Sequence, residues 1–143
     1  MYTPNLLAAA LLIVTSAAVA APAQYMVLDN SSSALIETGA AVAIWKAQVD
    51  DNLRLRLQKL YPVSKWGFIS EVQGGLGSDM TCVVTARALM VPRISGDRLV
   101  FRPHKAATAF GAQAGATREQ CKELAAAKLT EAIQAVRSTL IVP

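Results

Sequence analysis

The sequence has one histidine, two cysteines and eight aromatic residues among 143. Each scarcity removes a class of chemistry. A metal centre needs three or four ligands at suitable spacing, and His104 stands alone. If the two cysteines are paired, no thiolate is left for coordination or attack. The acids are scattered, and Asp50 and Asp51 are neighbours that point different ways on a helix, a poor acid/base dyad. No Gly-x-Ser-x-Gly elbow occurs. Gly74-Gly75-Leu76-Gly77 lacks the Gly-Lys-Ser/Thr ending and following helix of a phosphate loop, so it reads as a hairpin turn. No constellation meets the requirements of an active site, so no enzymatic activity, cofactor or metal is expected.

Charge is missing from one stretch altogether: residues 1–24 carry no Asp, Glu, Lys or Arg. Residues 6–14 are apolar and rich in Ala and Leu, and Ala18 and Ala20 then form an A-x-A cleavage pattern. This predicts a secretory signal over residues 1–20, cut after Ala20, with Ala23 as the alternative. No Lys or Arg precedes the apolar run, unlike most such signals. The other reading is a retained anchor, which reaches spanning length only if residues 6–23 are counted whole. No cysteine lies nearby to accept a lipid.

Residues 21–33 read as an extended lead-in ending in Asn30-Ser31-Ser32-Ser33, with Ser33 as the expected N-cap of a helix over residues 34–60. Val42, Trp45, Val49, Leu53, Leu57 and Leu60 recur at helical spacing and form its apolar stripe. Asp50 and Arg54 are an i,i+4 ion pair on another face, and Pro62 stops the helix. Trp66, Phe68 and Val72 alternate as on a strand. Over residues 80–91 the even positions Met80, Cys82, Val84, Ala86, Ala88 and Met90 make an apolar face and the odd ones are mixed. Such a strand belongs to an antiparallel sheet covered on one side.

A third strand is expected over residues 98–102, with Leu99 and Phe101 inward. Residues 103–116 are rich in Ala and Gly and carry little pattern, although Thr108 to Phe110 could extend the sheet edge. Thr117 and Gln120 fit a capping box before a helix over residues 118–138. Residues 34–143 thus read as a single α+β domain of two layers: order α-β-β-β-α, an antiparallel meander sheet, and two helices on one face.

Export bears on the cysteines. Two cysteines allow one bridge, and oxidising compartments favour it, so Cys82–Cys121 is the expected disulfide; two buried free thiols are the alternative.

Thr81-Cys82-Val83-Val84, the run from Gly96 to Pro103, and Cys121-Lys122-Glu123-Leu124-Ala125-Ala126-Ala127-Lys128-Leu129 together resemble the C-terminal domain of TolA, related in fold to that of TonB. The resemblance covers roughly residues 80–130, with a longer cysteine spacing here. It implies a non-enzymatic periplasmic domain that binds other envelope proteins.

The net charge of +4 has a local origin. Arg87, Arg93, Arg98, Arg102 and Lys105 fall in a stretch whose only acid is Asp97. Arg87, Arg98, Arg102, His104 and Lys105 are therefore a candidate binding face for an acidic protein or an anionic membrane surface. The plainer reading is a solvated strand face whose charges discourage aggregation. Export and the lack of interleaved aromatics argue against nucleic acid. Two functions fit: a periplasmic adaptor or accessory subunit of an envelope assembly, binding protein by its sheet face or edge, or an inhibitor of the immunity type that blocks a toxin or envelope hydrolase.

Overall fold

The computed structural model describes residues 17, 18, 20 and 23–141; the signal segment proposed above lies almost wholly outside them. The fold is α+β, with three helices and a curled sheet of five strands. In chain order the elements are β1 (Met26–Asp29), α1 (Ala40–Gln48), α2 (Asp51–Leu57), β2 (Trp66–Leu76), β3 (Cys82–Ile94), β4 (Arg98–Leu99), β5 (Lys105–Gln113) and α3 (Arg118–Ile141).

The sheet is mixed, which corrects the expected meander. β1, within the lead-in, pairs parallel to β2, with Val27 opposite Phe68. β2 and β3 form a long antiparallel hairpin, Trp66 opposite Pro92 through Leu76 opposite Cys82. β3 is long enough to serve two partners in succession. Its tip pairs with the two residues of β4, and its body, from Cys82 to Met90, pairs antiparallel with β5. The strand expected over residues 98–102 is thus only two residues long. Val100 N–H donates to Pro92 O at 2.9 Å and Arg102 N–H to Val100 O at 2.6 Å, a tight turn that takes the chain out of the ladder. Phe101 is consequently exposed rather than inward.

Two helices stand where one was expected. The apolar spacing runs unbroken from Val42 to Leu57, but the backbone breaks at Val49 and Asp50. Asp50 takes an extended conformation and its Oδ1 accepts the Leu53 N–H at 2.8 Å, an N-cap that starts α2. Arg54 therefore pairs not with Asp50 but with Asp51, Nη2 to Oδ1 at 3.1 Å. Upstream, Ser32 O accepts from Leu35 and Ile36 in a separate turn, and Gly39 at φ 85° precedes α1, so Ser33 caps no helix. The capping box of α3 forms as the spacing predicts. Thr117 N–H donates to Gln120 Oε1 at 2.8 Å, and Gln120 N–H to Thr117 Oγ1 at 3.2 Å.

All three helices lie on one face of the sheet. α3 covers β3 and β5, and α1 bridges β1 and α3. The main core joins Trp45, Leu53 and Leu57 to Phe68, Val72, Val84, Met90, Leu129, Ile133 and Val136. Trp45 and Phe68 stack, centroids 4.1 Å apart and planes 15° from parallel. Trp45 Nε1–H donates to Ser70 Oγ at 2.8 Å, which satisfies a hydroxyl the sheet buries completely.

The disulfide Cys82–Cys121 closes one end of this layer, with Cα atoms 5.5 Å apart. It ties the start of the central strand to the first turn of α3.

On the opposite face Ile69, Leu89 and Val91 form a second small core beneath Leu99. Leu99 reaches it because residue 67 is glycine: a Cβ there would stand 2.5 Å from Leu99 Cδ2. Gly74 meets a different demand. Its φ is 121°, and an added Cβ would lie 2.0 Å from Val83 O, so only glycine lets the hairpin close there. At the turn beyond, Thr81 donates from its N–H and its hydroxyl to the Asp79 carboxylate, which holds the Asp79 pKa below its ordinary value.

Candidate interaction surface

Among the described residues no helix covers the second sheet face, and the sheet has edge strands at β1 and β5. β5 pairs with β3 on one side and with no strand on the other, among the described residues. Residues 106, 108, 110 and 112 alternate outward on the uncovered face and are all exposed. Phe110 is the largest of them and 61% exposed. It sits opposite Thr85 and diagonal to Val83, which is also exposed; diagonal neighbours are within reach of an aromatic ring. Arg87 and Glu71, directly opposed on β3 and β2, form an ion pair at 2.9 Å beside this apolar ground. Lys105 is the only charged residue of β5. Edge strands are normally guarded by charge, proline or a bulge, and β5 has a single lysine at its start.

The basic residues singled out from the sequence do not gather into one stripe. Arg87 lies on the uncovered face and is matched by Glu71. Lys105 is opposite Met90 and so shares the helix-covered side of the ladder. Arg98 and Arg102 are exposed near the β3–β4 tip. The Arg93 guanidinium is paired with Asp97 and also donates to Val63 O. The His104 ring packs against Trp66 and Tyr61, at centroid distances of 5.0 and 5.9 Å. Among the described residues no group of three or more His, Cys, Asp or Glu could hold a metal ion.

A cleft of about 310 Å³ opens on the other side of the molecule, between β1 and the two short helices. Trp45, Phe68 and Tyr25 wall it, and Arg54 is part of its lining. Arg54 is only 5% exposed. The helix stripe gave no reason to expect this, because Arg54 lies beside the stripe and reads as solvated. It is buried because the lead-in runs over it: Arg54 Nη1–H donates to Ala23 O at 2.8 Å. Tyr25, from the same segment, donates its hydroxyl to Tyr61 O at 2.5 Å.

Burial pushes the Tyr25 pKa up to about 12, partly offset by Arg54 nearby. The folded pKa lies above the ordinary value of 10.0, so the neutral phenol contributes stability that is intact below pH 10. That contribution is lost as the pH rises from 10 toward 12. A Tyr25→Phe chain is expected to show a shallower fall in urea midpoint across this window than the wild type. Equal slopes would mean that Tyr25 is not the titrating group.

Phe110, in a stretch of little pattern, and Arg54, which the sequence places among solvated residues, were the least legible of these positions. An isolated aromatic in an Ala/Gly run, flanked by Thr108 and Ala112, was the one available sign of the exposed β5 face.

No family model and no curated protein matches the chain. Among solved structures it is similar to the PelC dodecamer from Paraburkholderia phytofirmans, at 14% identity and a TM-score of 0.37, over 83% of this chain and 94% of that one.

Proposed function

We propose that this chain is a non-enzymatic, exported protein-binding module: a periplasmic accessory or adaptor subunit of a bacterial cell-envelope assembly. The observation that carries the reading is the unpaired and almost uncharged edge of β5, with Phe110 exposed beside it. An extended segment of a partner adds to such an edge by main-chain hydrogen bonds, and side chains on the adjoining face set specificity. The disulfide fits an oxidising compartment. The apolar leader of the sequence, with its A-x-A site, points to the same address. Among the described residues no helix is long and apolar enough to cross a membrane. The likeness of the hairpin and Cys121 helix to the TolA C-terminal domain adds a precedent for a domain of this kind.

The test is affinity capture of the mature protein from an envelope extract, run beside Phe110→Glu and Arg98→Glu/Arg102→Glu chains. A resident envelope protein is expected at stoichiometric yield with the wild type. Its recovery should fall about tenfold with Phe110→Glu, the loss of roughly 1.4 kcal/mol of binding. Undiminished recovery with Phe110→Glu, together with loss in the arginine variant, would move the surface to the β3–β4 tip. Capture of a single secreted enzyme at equal stoichiometry would replace the adaptor by an inhibitor.

A further inference from the structure

The cleft between β1, α1 and α2 has a composition that the protein-binding reading does not use. Its accessible apolar surface comes from Tyr25, Val27, Val42 and Val49, over a floor of Trp45 and Phe68 that are each 1% exposed, and Lys46, Asp50 and Asp51 stand at its exposed rim. Its volume, about 310 Å³, is at the lower end for small-molecule sites. Arg54, with a side chain only 6% exposed, is part of its lining. Placing a full charge there is costly unless it is paired. A hydrophobic residue at position 54 would fill the same space between two short helices without that cost.

The pairing Arg54 receives is thin. A guanidinium has five N–H donors in a fixed fork. Among the described residues Arg54 makes two side-chain hydrogen bonds, one to the Ala23 carbonyl and one to a single Asp51 oxygen. Asp51 is 79% exposed, so its attraction is screened by solvent and its displacement costs little. Asp50, the other acid lining the cleft, has an oxygen occupied by the Leu53 N–H. Lys46 adds a second positive charge at the exposed rim.

We propose that this cleft is a binding site for a small amphiphile bearing one carboxylate, whose head group is taken by Arg54 and whose apolar body lies against Tyr25 and Val42. A carboxylate matches the guanidinium fork in two parallel hydrogen bonds. A neutral apolar ligand would leave the buried charge as it is. A cation would meet the buried charge of Arg54, while at the exposed rim Lys46 is offset by Asp50 and Asp51. A dianion such as a phosphate monoester would face Asp50 and Asp51 with twice the charge of a carboxylate and carry a heavier hydration shell into the cleft. The site is separate from the β5 edge, and its failure would leave the protein-binding reading untouched.

Titration calorimetry with the mature protein tests this, using decanoate below its micelle concentration, with decanol and decyltrimethylammonium alongside. Decanoate is expected to saturate at one per chain and to bind about tenfold or more tighter than decanol, as a charge-assisted pair implies. Val42→Trp, which fills the cleft, should abolish binding. Arg54→Gln should remove the preference for decanoate over decanol. Lys46→Glu, at an exposed position, should weaken decanoate several-fold and leave decanol unchanged; it decides the matter if Arg54→Gln fails to fold. Absence of saturable decanoate binding overturns the proposal. So does equal affinity for decanol, tighter binding of the ammonium, or binding that survives Val42→Trp.

Discussion

A Cys82→Ala/Cys121→Ala chain is expected to be less stable than the wild type by about 4 kcal/mol. The bridge spans a sequence separation of 39 residues, and a loop of that size restricts the unfolded chain substantially. Domains of this size have net stabilities of about 5–15 kcal/mol, so the loss takes about a quarter or more of the total. Urea unfolding of three samples gives the answer: oxidised wild type, wild type in reductant, and the double variant. The last two should agree to within about 1 kcal/mol, because both thiols are buried and alanine leaves only a small void. A loss below about 1 kcal/mol in both would mean that the unfolded chain already holds the two segments close.

The bridge also bears on the proposed surface. The loop it closes contains β3, β4 and β5, and its far end is the first turn of the helix that covers β5. Without it, α3 is held to the sheet by packing and by the short link from β5. The edge and Phe110 should then become more protease-sensitive before the rest of the sheet does, since such local openings cost less than global unfolding.

How legible this fold was depended on whether the pattern was local. The body of β3 was readable because its inward side chains alternate without interruption from Cys82 to Met90. The start of α3 was readable because a capping box is a contact between residues three apart. β1 carries no such mark. It is four residues long, Met26-Val27-Leu28-Asp29, and becomes a strand only through parallel pairing with β2, across two intervening helices. The break at Asp50 was masked because Val49 and Leu53 keep helical spacing across it; the local sign was the acid that caps α2.

β5 was hidden for a different reason. α3 lies so close to it that its inward residues must be small: a Cβ on Gly111 would stand 2.9 Å from Lys128 Cε and 3.1 Å from Leu124 Cδ1. Ala107, Ala109 and Gly111 therefore leave a strand with almost no hydrophobic contrast between its faces. The candidate site inherits the same limit. Charge clustering along the chain suggested a basic stripe, but alternation on the ladder sends Arg87 and Lys105 to opposite sides, and Arg87 and Arg93 have acidic partners.

Trp45→Ala is expected to cost about 3–5 kcal/mol, the range for deleting a large buried aromatic. Trp45 is 1% exposed, stacks on Phe68 and joins α1 to the sheet. Part of the cost is polar. The Ser70 hydroxyl lies on a fully buried strand position, and the Trp45 indole N–H is its partner at 2.8 Å. Removing a partner from a buried polar group costs about 1–3 kcal/mol, whereas removing both groups is nearly neutral. Trp45→Phe separates the two parts, since it keeps an aromatic ring near Phe68 but strands the hydroxyl. Adding Ser70→Ala to Trp45→Phe should then recover about 1 kcal/mol or more, while Ser70→Ala alone should destabilise. Denaturant unfolding of the four chains measures that coupling. If Trp45→Phe/Ser70→Ala is no more stable than Trp45→Phe, the hydroxyl is satisfied some other way and the stack alone holds α1 in place.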